Sequence, residues 1–241
     1  MQLLEFMTSG TQKFGVSELA NALNLYKSNI HEILSTFEQL GYVEQDPETK
    51  KYSLTMKLLV LGHQIRRRFG FQEILGVRLQ KLSDETGELS YFGMLYGHQL
   101  IYMGGAFPRT DTIAKPVVGL IRPLYCTSMG KILLAYSGSE VLQAVIGDTL
   151  KPFTEKTITN VKRLEKELSE IKKRGYSTER DEYEFGSGGL GVPVTGPDGK
   201  LIGALCLSGP SVRFGPDKEK EYLPLLNKVA SAIGVTGREC F

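Results

Sequence analysis

Residues 16–54, VSELANALNLYKSNIHEILSTFEQLGYVEQDPETKKYSL, constrain this chain more than any other stretch, because two helical periods and a strand pair follow one another with little slack. Val16, Leu19, Ala20 and Leu23 recur at helical spacing, with Ser17 placed to cap the helix and Glu18 near its positive end. Asn24 breaks the run and tolerates the left-handed backbone that a tight interhelical turn needs. A second helix aligns Ile30, Ile33, Leu34, Phe37 and Leu40 and stops at Gly41. Residues 42–46 and 51–54, joined by the turn-rich residues 47–50, read as a two-stranded wing. Helix, turn, helix and wing is the layout of a winged helix-turn-helix DNA reader.

A small helical bundle with a hairpin shows the same periodicity, so the outer face of the second helix decides. At about 100° per residue, Ser28, Glu32, Ser35 and Gln39 point away from the apolar stripe, flanked by Asn29, His31 and Thr36. Short polar groups suit base-edge and phosphate contacts, whereas a merely solvated helix is richer in Lys and Glu. Lys27, Ser28, Asn29 and His31 are therefore expected to lead this helix into the major groove, with Glu32 and Ser35 on the same face. Lys50 and Lys51 on the wing are expected to contact the DNA backbone. Bulk charge adds nothing here: the chain is only +2 overall. Local placement carries the reading.

The remaining segments describe a second, mixed domain. Leu3, Leu4, Phe6 and Met7 mark a short first helix before residue 16. Residues 55–69 form a helix apolar around most of its circumference through Met56, Leu58, Leu59, Val60 and Leu61, which needs burial or a second copy. Gly70 is a plausible boundary. Beyond it, Ile74, Leu75, Leu79 and Leu82 mark a helix ending near Gly87. Residues 89–96 and 100–106 read as a hairpin around Gly97-His98, and residues 112–118 as a further strand. Short helices follow at 128–136 and 140–146, and a longer one at 160–174. A second hairpin joins residues 190–195 and 201–208 through Pro197-Asp198-Gly199, and a last helix opens at Pro216. Sequential hairpins with helices clustered between them predict an α+β domain, an antiparallel sheet covered by helices.

Other classes find little support. Cys126, Cys206 and Cys240 lack metal or redox spacing, which fits a reducing compartment. No apolar run reaches membrane-spanning length and no leader pattern opens the chain, so a cytoplasmic protein without membrane contact is expected. The three histidines are scattered, with no recognisable nucleophile triad, so no enzyme and no cofactor is expected. The rival readings are an enzyme using a cleft in the second domain, and a constitutive DNA-binding scaffold.

Within residues 16–62 the phrases SELA, the helix start from Leu25 to His31, LSTFEQLGYVEQDPETKKYSL and the following LLVLG resemble the amino-terminal domain of IclR-type transcriptional regulators. Glu32 departs from the family pattern, which usually has Arg there; a carboxylate can accept from cytosine N4, which implies a different base preference. Residues 123–131, PLYCTSMGK, and 175–210, GYSTERDEYEFGSGGLGVPVTGPDGKLIGALCLSGP, are similar to the family's effector-binding domain. Tyr125 stands where His is common, and Ser187-Gly188-Gly189 where bulkier residues are usual. The resemblance implies a GAF-like sensing fold over residues 71–241, a DNA-binding domain over 1–54 and a linker and dimerisation helix over 55–70. It implies double-stranded DNA as partner, a pseudo-palindromic operator read by a homodimer, and a small-molecule effector; a tetramer through the second domains stays open.

By the same resemblance the effector lies near Ser128, Met129, Glu179, Gly188, Gly189, Cys206 and Ser208. Thr127 and Ser128 sit at a helix start, where free N–H groups favour an anion. Cys206 and Ser208 alternate with leucines along one strand and share a face. Gly188 and Gly189 are expected to line the cleft and Glu179 its rim. A small organic acid is the expected effector, with Arg122 as an alternative source of positive charge.

Overall fold

The structure, a computed structural model, describes residues 2–8, 13–68, 72–108, 117–147 and 149–236. They fall into two compact units, Met1–Arg68 and Phe69–Phe241. The expected strand over 112–118 lies mostly outside the described residues, as do the Gly70 boundary and Cys240; Val118 is in a turn.

In the first unit, α1 (Gln2–Thr8), α2 (Val16–Leu23) and α3 (Lys27–Gln39) pack over the hairpin β1 (Val43–Gln45) and β2 (Tyr52–Leu54), followed by α4 (Lys57–Arg68). Of the predicted stripes, Leu3, Met7, Leu19, Ala20, Ile30 and Leu34 are buried together, with Val43 and Tyr52 of the hairpin, while Leu4, Phe6, Val16, Leu23, Ile33 and Phe37 pack partly buried around them. Asn24 takes the left-handed conformation that lets α3 turn away from α2, at φ 53°. Two details differ. Ser17 does not cap α2. Gly15 occupies that position, and the Glu18 carboxylate reaches back to accept its N–H at 2.7 Å. Leu40 is half exposed because it sits past the last turn of α3, where the Lys57 ammonium donates to its carbonyl at 2.6 Å.

The second unit is a six-stranded antiparallel sheet in the order β5-β4-β3-β8-β7-β6. Its strands are β3 (Leu89–Tyr96), β4 (Gln99–Ala106), β5 (Ile121–Pro123), β6 (Ser177–Arg180), β7 (Ser187–Thr195) and β8 (Leu201–Pro210). One face carries α5 (Gln72–Thr86) and α9 (Pro216–Thr236) over Phe92, Leu190, Val192, Val194, Leu205 and Leu207. The other carries α6 (Ser128–Tyr136), backed by α7 (Ser139–Gly147) and α8 (Val161–Arg174), over Leu100, Ala204 and Cys206. Strands 190–208 read as near-continuous apolar runs because both faces are covered. β5 and β6 are short edge strands, and β7 begins three residues before the expected start, so the glycine run is strand.

Candidate DNA-reading face and effector site

In the first unit Ile30 and Leu34 anchor α3 inward, which leaves Lys27, Ser28, Asn29, His31, Glu32 and Thr36 exposed and Ser35 half-buried. The face is therefore a presented surface of short polar groups. Tyr26 just before the helix is 80% exposed, and sequence periodicity gave no reason to single it out. On the wing, Lys50 is exposed with φ 57° at the hairpin turn. Lys51 is tied at 3.2 Å to Glu18 on α2, and Lys13 pairs with Asp46. Of the two wing lysines, Lys50 is the one without an ion pair among the described residues. Surface pairs of this kind are weak enough for a phosphate to compete.

The candidate effector face of the second unit, the α6 side of the sheet, is organised by cross-strand rows, since directly opposed residues of antiparallel strands point to the same side. One row runs Glu179, Gly189, Ser208, Leu89; the next runs Ser177, Gly191, Cys206, Tyr91. α6 begins directly above them. The Thr127 hydroxyl caps it, accepting from the Gly130 N–H at 3.1 Å, and the Ser177 hydroxyl donates to the Ser128 carbonyl at 2.6 Å. A Cβ on Gly189 would stand 2.8 Å from the Ser128 hydroxyl, and one on Gly191 3.0 Å from the Ser128 carbonyl. Both positions need glycine because the start of α6 lies on β7 itself.

The structure thus brings Ser128, Gly189, Cys206 and Ser208 together on one face, with Met129 buried in the core beside them. Ser208 donates to the Gly188 carbonyl at 3.2 Å. Two expectations are corrected. Gly188 does not line this cleft: a Cβ there would meet the Ser211 backbone at 2.8 Å and the Phe214 ring at 3.2 Å, on the α9 side. Because β7 is already extended at this point, neighbouring residues face opposite ways. Glu179 is not at a rim. It is only 5% exposed, and its carboxylate accepts from the Glu182 N–H at 2.9 Å.

Burial dominates the electrostatics. It raises the Glu179 carboxyl to about 7, against the pull of the Glu182 N–H, and pushes the Cys206 thiol up to about 12, with the Ser128 hydroxyl beside it acting the other way. Lys131 on α6 is 1% exposed and binds Glu182 at 2.5 Å; burial raises that carboxyl while Lys131 pulls it back. The Glu182 Oε2 atom is buried without a hydrogen-bond partner among the described residues. The loop leaving β6 is held by Asp181, which is left-handed at φ 59°, accepts from the Gly186 N–H at 2.8 Å and pairs with Lys156 at 2.6 Å. Sequence reasoning missed Tyr91 and Tyr102, and it read Glu182 as surface charge beside Glu179 and Asp181 without pairing it with Lys131. Only the pairing register exposes the two tyrosines, and only the tertiary fold the ion pair.

A winged helix-turn-helix unit followed in the chain by an antiparallel sheet with a polar, glycine-floored face defines a DNA-binding regulator with a sensing domain. Comparison with known proteins agrees: residues 1–47 match the IclR helix-turn-helix domain and residues 64–235 the bacterial transcriptional regulator IclR C-terminal domain. The chain belongs to the IclR family of transcriptional regulators. It is 32% identical to the HTH-type transcriptional regulator KdgR of Escherichia coli over 223 residues, covering 92% of this chain and 85% of that protein. Its fold is that of an IclR-type regulator from Silicibacter sp. TM1040, with TM-score 0.83, 24% identity and 96% and 93% of the two chains covered. An IclR homologue from Microbacterium hydrocarbonoxydans, crystallised in complex with 4-hydroxybenzoate, superposes with TM-score 0.77 at 19% identity over 98% and 95% of the chains.

Proposed function

We propose that this chain reads a pseudo-palindromic operator as a homodimer and that a small organic acid, bound on the α6 face of the second unit, sets its DNA affinity. The observation that carries the DNA half is the exposed polar face of α3, from Lys27 to Ser35, on a buried Ile30–Leu34 anchor. Lys27, Ser28, Asn29, His31, Glu32 and Ser35 are assigned to the groove, Lys50 to a phosphate, and Lys51 to a phosphate once it leaves Glu18. The dimer is assigned to the first unit and α4, where Met56, Leu59, Val60 and Ile65 are all more than half exposed. The effector half rests on Ser128, Gly189, Cys206 and Ser208 converging on one face with Glu179. The Microbacterium homologue supports it, being a protein of this fold that binds a hydroxylated acid. An effector acts only through its differential affinity for the two DNA-affinity states.

Selection of binding sites from a random DNA pool tests the reading. The enriched sequences should carry inverted half-sites about one helical turn apart, and a panel of small acids should change affinity for them. Asn29→Ala should alter the enriched sequence, whereas Lys50→Ala should weaken all sequences alike and reduce the salt slope by about 1. Enrichment of no sequence, or an unchanged consensus with Asn29→Ala, would remove the assignment.

A further inference from the structure

Between α2 and α3 the first unit exposes an apolar turn. Of the exposed large apolar side chains of this unit, Met56, Leu59, Val60 and Ile65 belong to the α4 segment and Leu40 closes α3; the others are Leu25 and Tyr26, and Tyr26 is the most exposed of all. The backbone that carries them is fixed. Asn24 is left-handed at φ 53°, the Leu25 N–H donates to the Ala20 carbonyl at 3.0 Å, and the Tyr26 carbonyl accepts from the Ile30 N–H at 3.1 Å. The Tyr26 side chain, by contrast, has no hydrogen bond, ring contact or ion pair among the described residues. A phenol held on a rigid turn without a protein partner offers an apolar body and a polar tip to a ligand.

Its place on the helix says what that ligand is. Tyr26 precedes Ile30 by about one turn, so it continues the row of Ile30 and Leu34 past the end of the core. Ser28, Glu32 and Ser35 occupy the opposite side of α3. Helical side chains lean toward the N-terminus, which carries the phenol off the end of α3 and away from the base edges that the outer face meets. When a recognition helix lies in the major groove, the helix before it crosses the DNA backbone. The row of α3 that packs toward α2 therefore leads to the phosphates and sugars of that strand.

Resting on the assignment of α3 to the major groove, we propose that the Tyr26 hydroxyl donates to a DNA phosphate flanking each half-site, with its ring and Leu25 against the neighbouring deoxyribose. A phenol donating to a phosphate oxygen makes a charge-assisted hydrogen bond that sets the register of α3 on the duplex and carries no base information. Tyr26 fixes where the helix sits, and Asn29 and its neighbours read from that position. The contact differs from those of the wing lysines in a measurable way. A lysine neutralises a phosphate and releases its counterion, whereas a neutral hydroxyl leaves the counterion balance unchanged.

The test uses the full chain and the duplex that the wild type enriches from the random pool. Tyr26→Phe removes one oxygen from an exposed side chain, so the unfolding temperature should stay the same. The dissociation constant should rise about tenfold, the range expected for loss of a hydrogen bond to a charged group. The slope of log affinity against log salt and the enriched sequence should both stay as in the wild type. Replacing single phosphates by methylphosphonates locates the contact: at one position flanking each half-site the substitution should cost the wild type more affinity than it costs Tyr26→Phe. Equal affinity of wild type and Tyr26→Phe, a changed enriched sequence, or a salt slope reduced by about 1 overturns this contact and leaves the DNA-reading assignment of α3 standing. A wild type that enriches no sequence overturns both.

Discussion

Replacing Lys131 by Met isolates the buried charge beneath α6. Lys131 is 1% exposed and its ammonium sits 2.5 Å from the Glu182 carboxylate, which has no other hydrogen-bond partner on Oε2 among the described residues. Met fills a similar volume, so the packing loss is small and the main effect is an unpaired buried carboxylate, worth about 3–5 kcal/mol. Glu182 can escape by taking up a proton, and that route caps the penalty. From an ordinary value of 4.5, protonation costs about 4 kcal/mol near pH 7.5 and about 1.4 kcal/mol near pH 5.5. In the variant the folded-state carboxyl is raised further above its unfolded value, so the folded form binds more protons and stability falls as pH rises. Destabilisation of the second unit should therefore shrink by about 2–3 kcal/mol on going from about pH 7.5 to about pH 5.5. Urea titration with amide hydrogen exchange read out in α6 and β6 measures that unit alone. Adding Glu182→Gln should restore most of the loss at the higher pH. A penalty below about 1 kcal/mol near pH 7.5, or one independent of pH, would show that the pair is not the buried ion pair described.

Glu179→Gln should flatten the pH dependence of the same unit. Burial raises this carboxyl from 4.5 to about 7, so its contribution is complete below the unfolded value and is lost as pH rises through about 7, a change of about 3 kcal/mol. Urea midpoints across that range check it, and an unchanged slope in the variant contradicts it. Leu59→Glu on α4, at a side chain 64% exposed in the single chain, should turn the proposed dimer into monomer at micromolar concentration by sedimentation while the helical content stays the same. A dimer that persists would move the interface elsewhere.

The first unit was legible almost residue by residue, for a physical reason. Its core is built from local periodicities: Leu19 and Ala20 on α2, Ile30 and Leu34 on α3, with Asn24 and Gly41 as the breaks between elements. A helix's buried stripe fixes its exposed one, so the polar face of α3 followed from Ile30 and Leu34 without any tertiary information. Where the reading failed, two local solutions competed for one helix end. Ser17 is a good cap in isolation, but Glu18 reaching back to Gly15 satisfies the same end two residues earlier.

The candidate effector face was legible only in part, because alternation names a side of a strand and says nothing of which strand lies next to it. Cys206 and Ser208 were placed together by the two-residue period alone. That Gly191 and Tyr91 flank Cys206, and that Glu179 shares Gly189's row, follows from a register spanning β6 to β3, set by contacts across more than a hundred residues of chain. The glycines show how sharply this matters. Read as a loop, Gly188 and Gly189 are interchangeable. Within β7 a single step moves a side chain through the sheet, from Ser128 on one face to Phe214 on the other. Gly189 therefore lies on the α6 face, where the effector is proposed to bind, and Gly188 in the packing of the opposite layer.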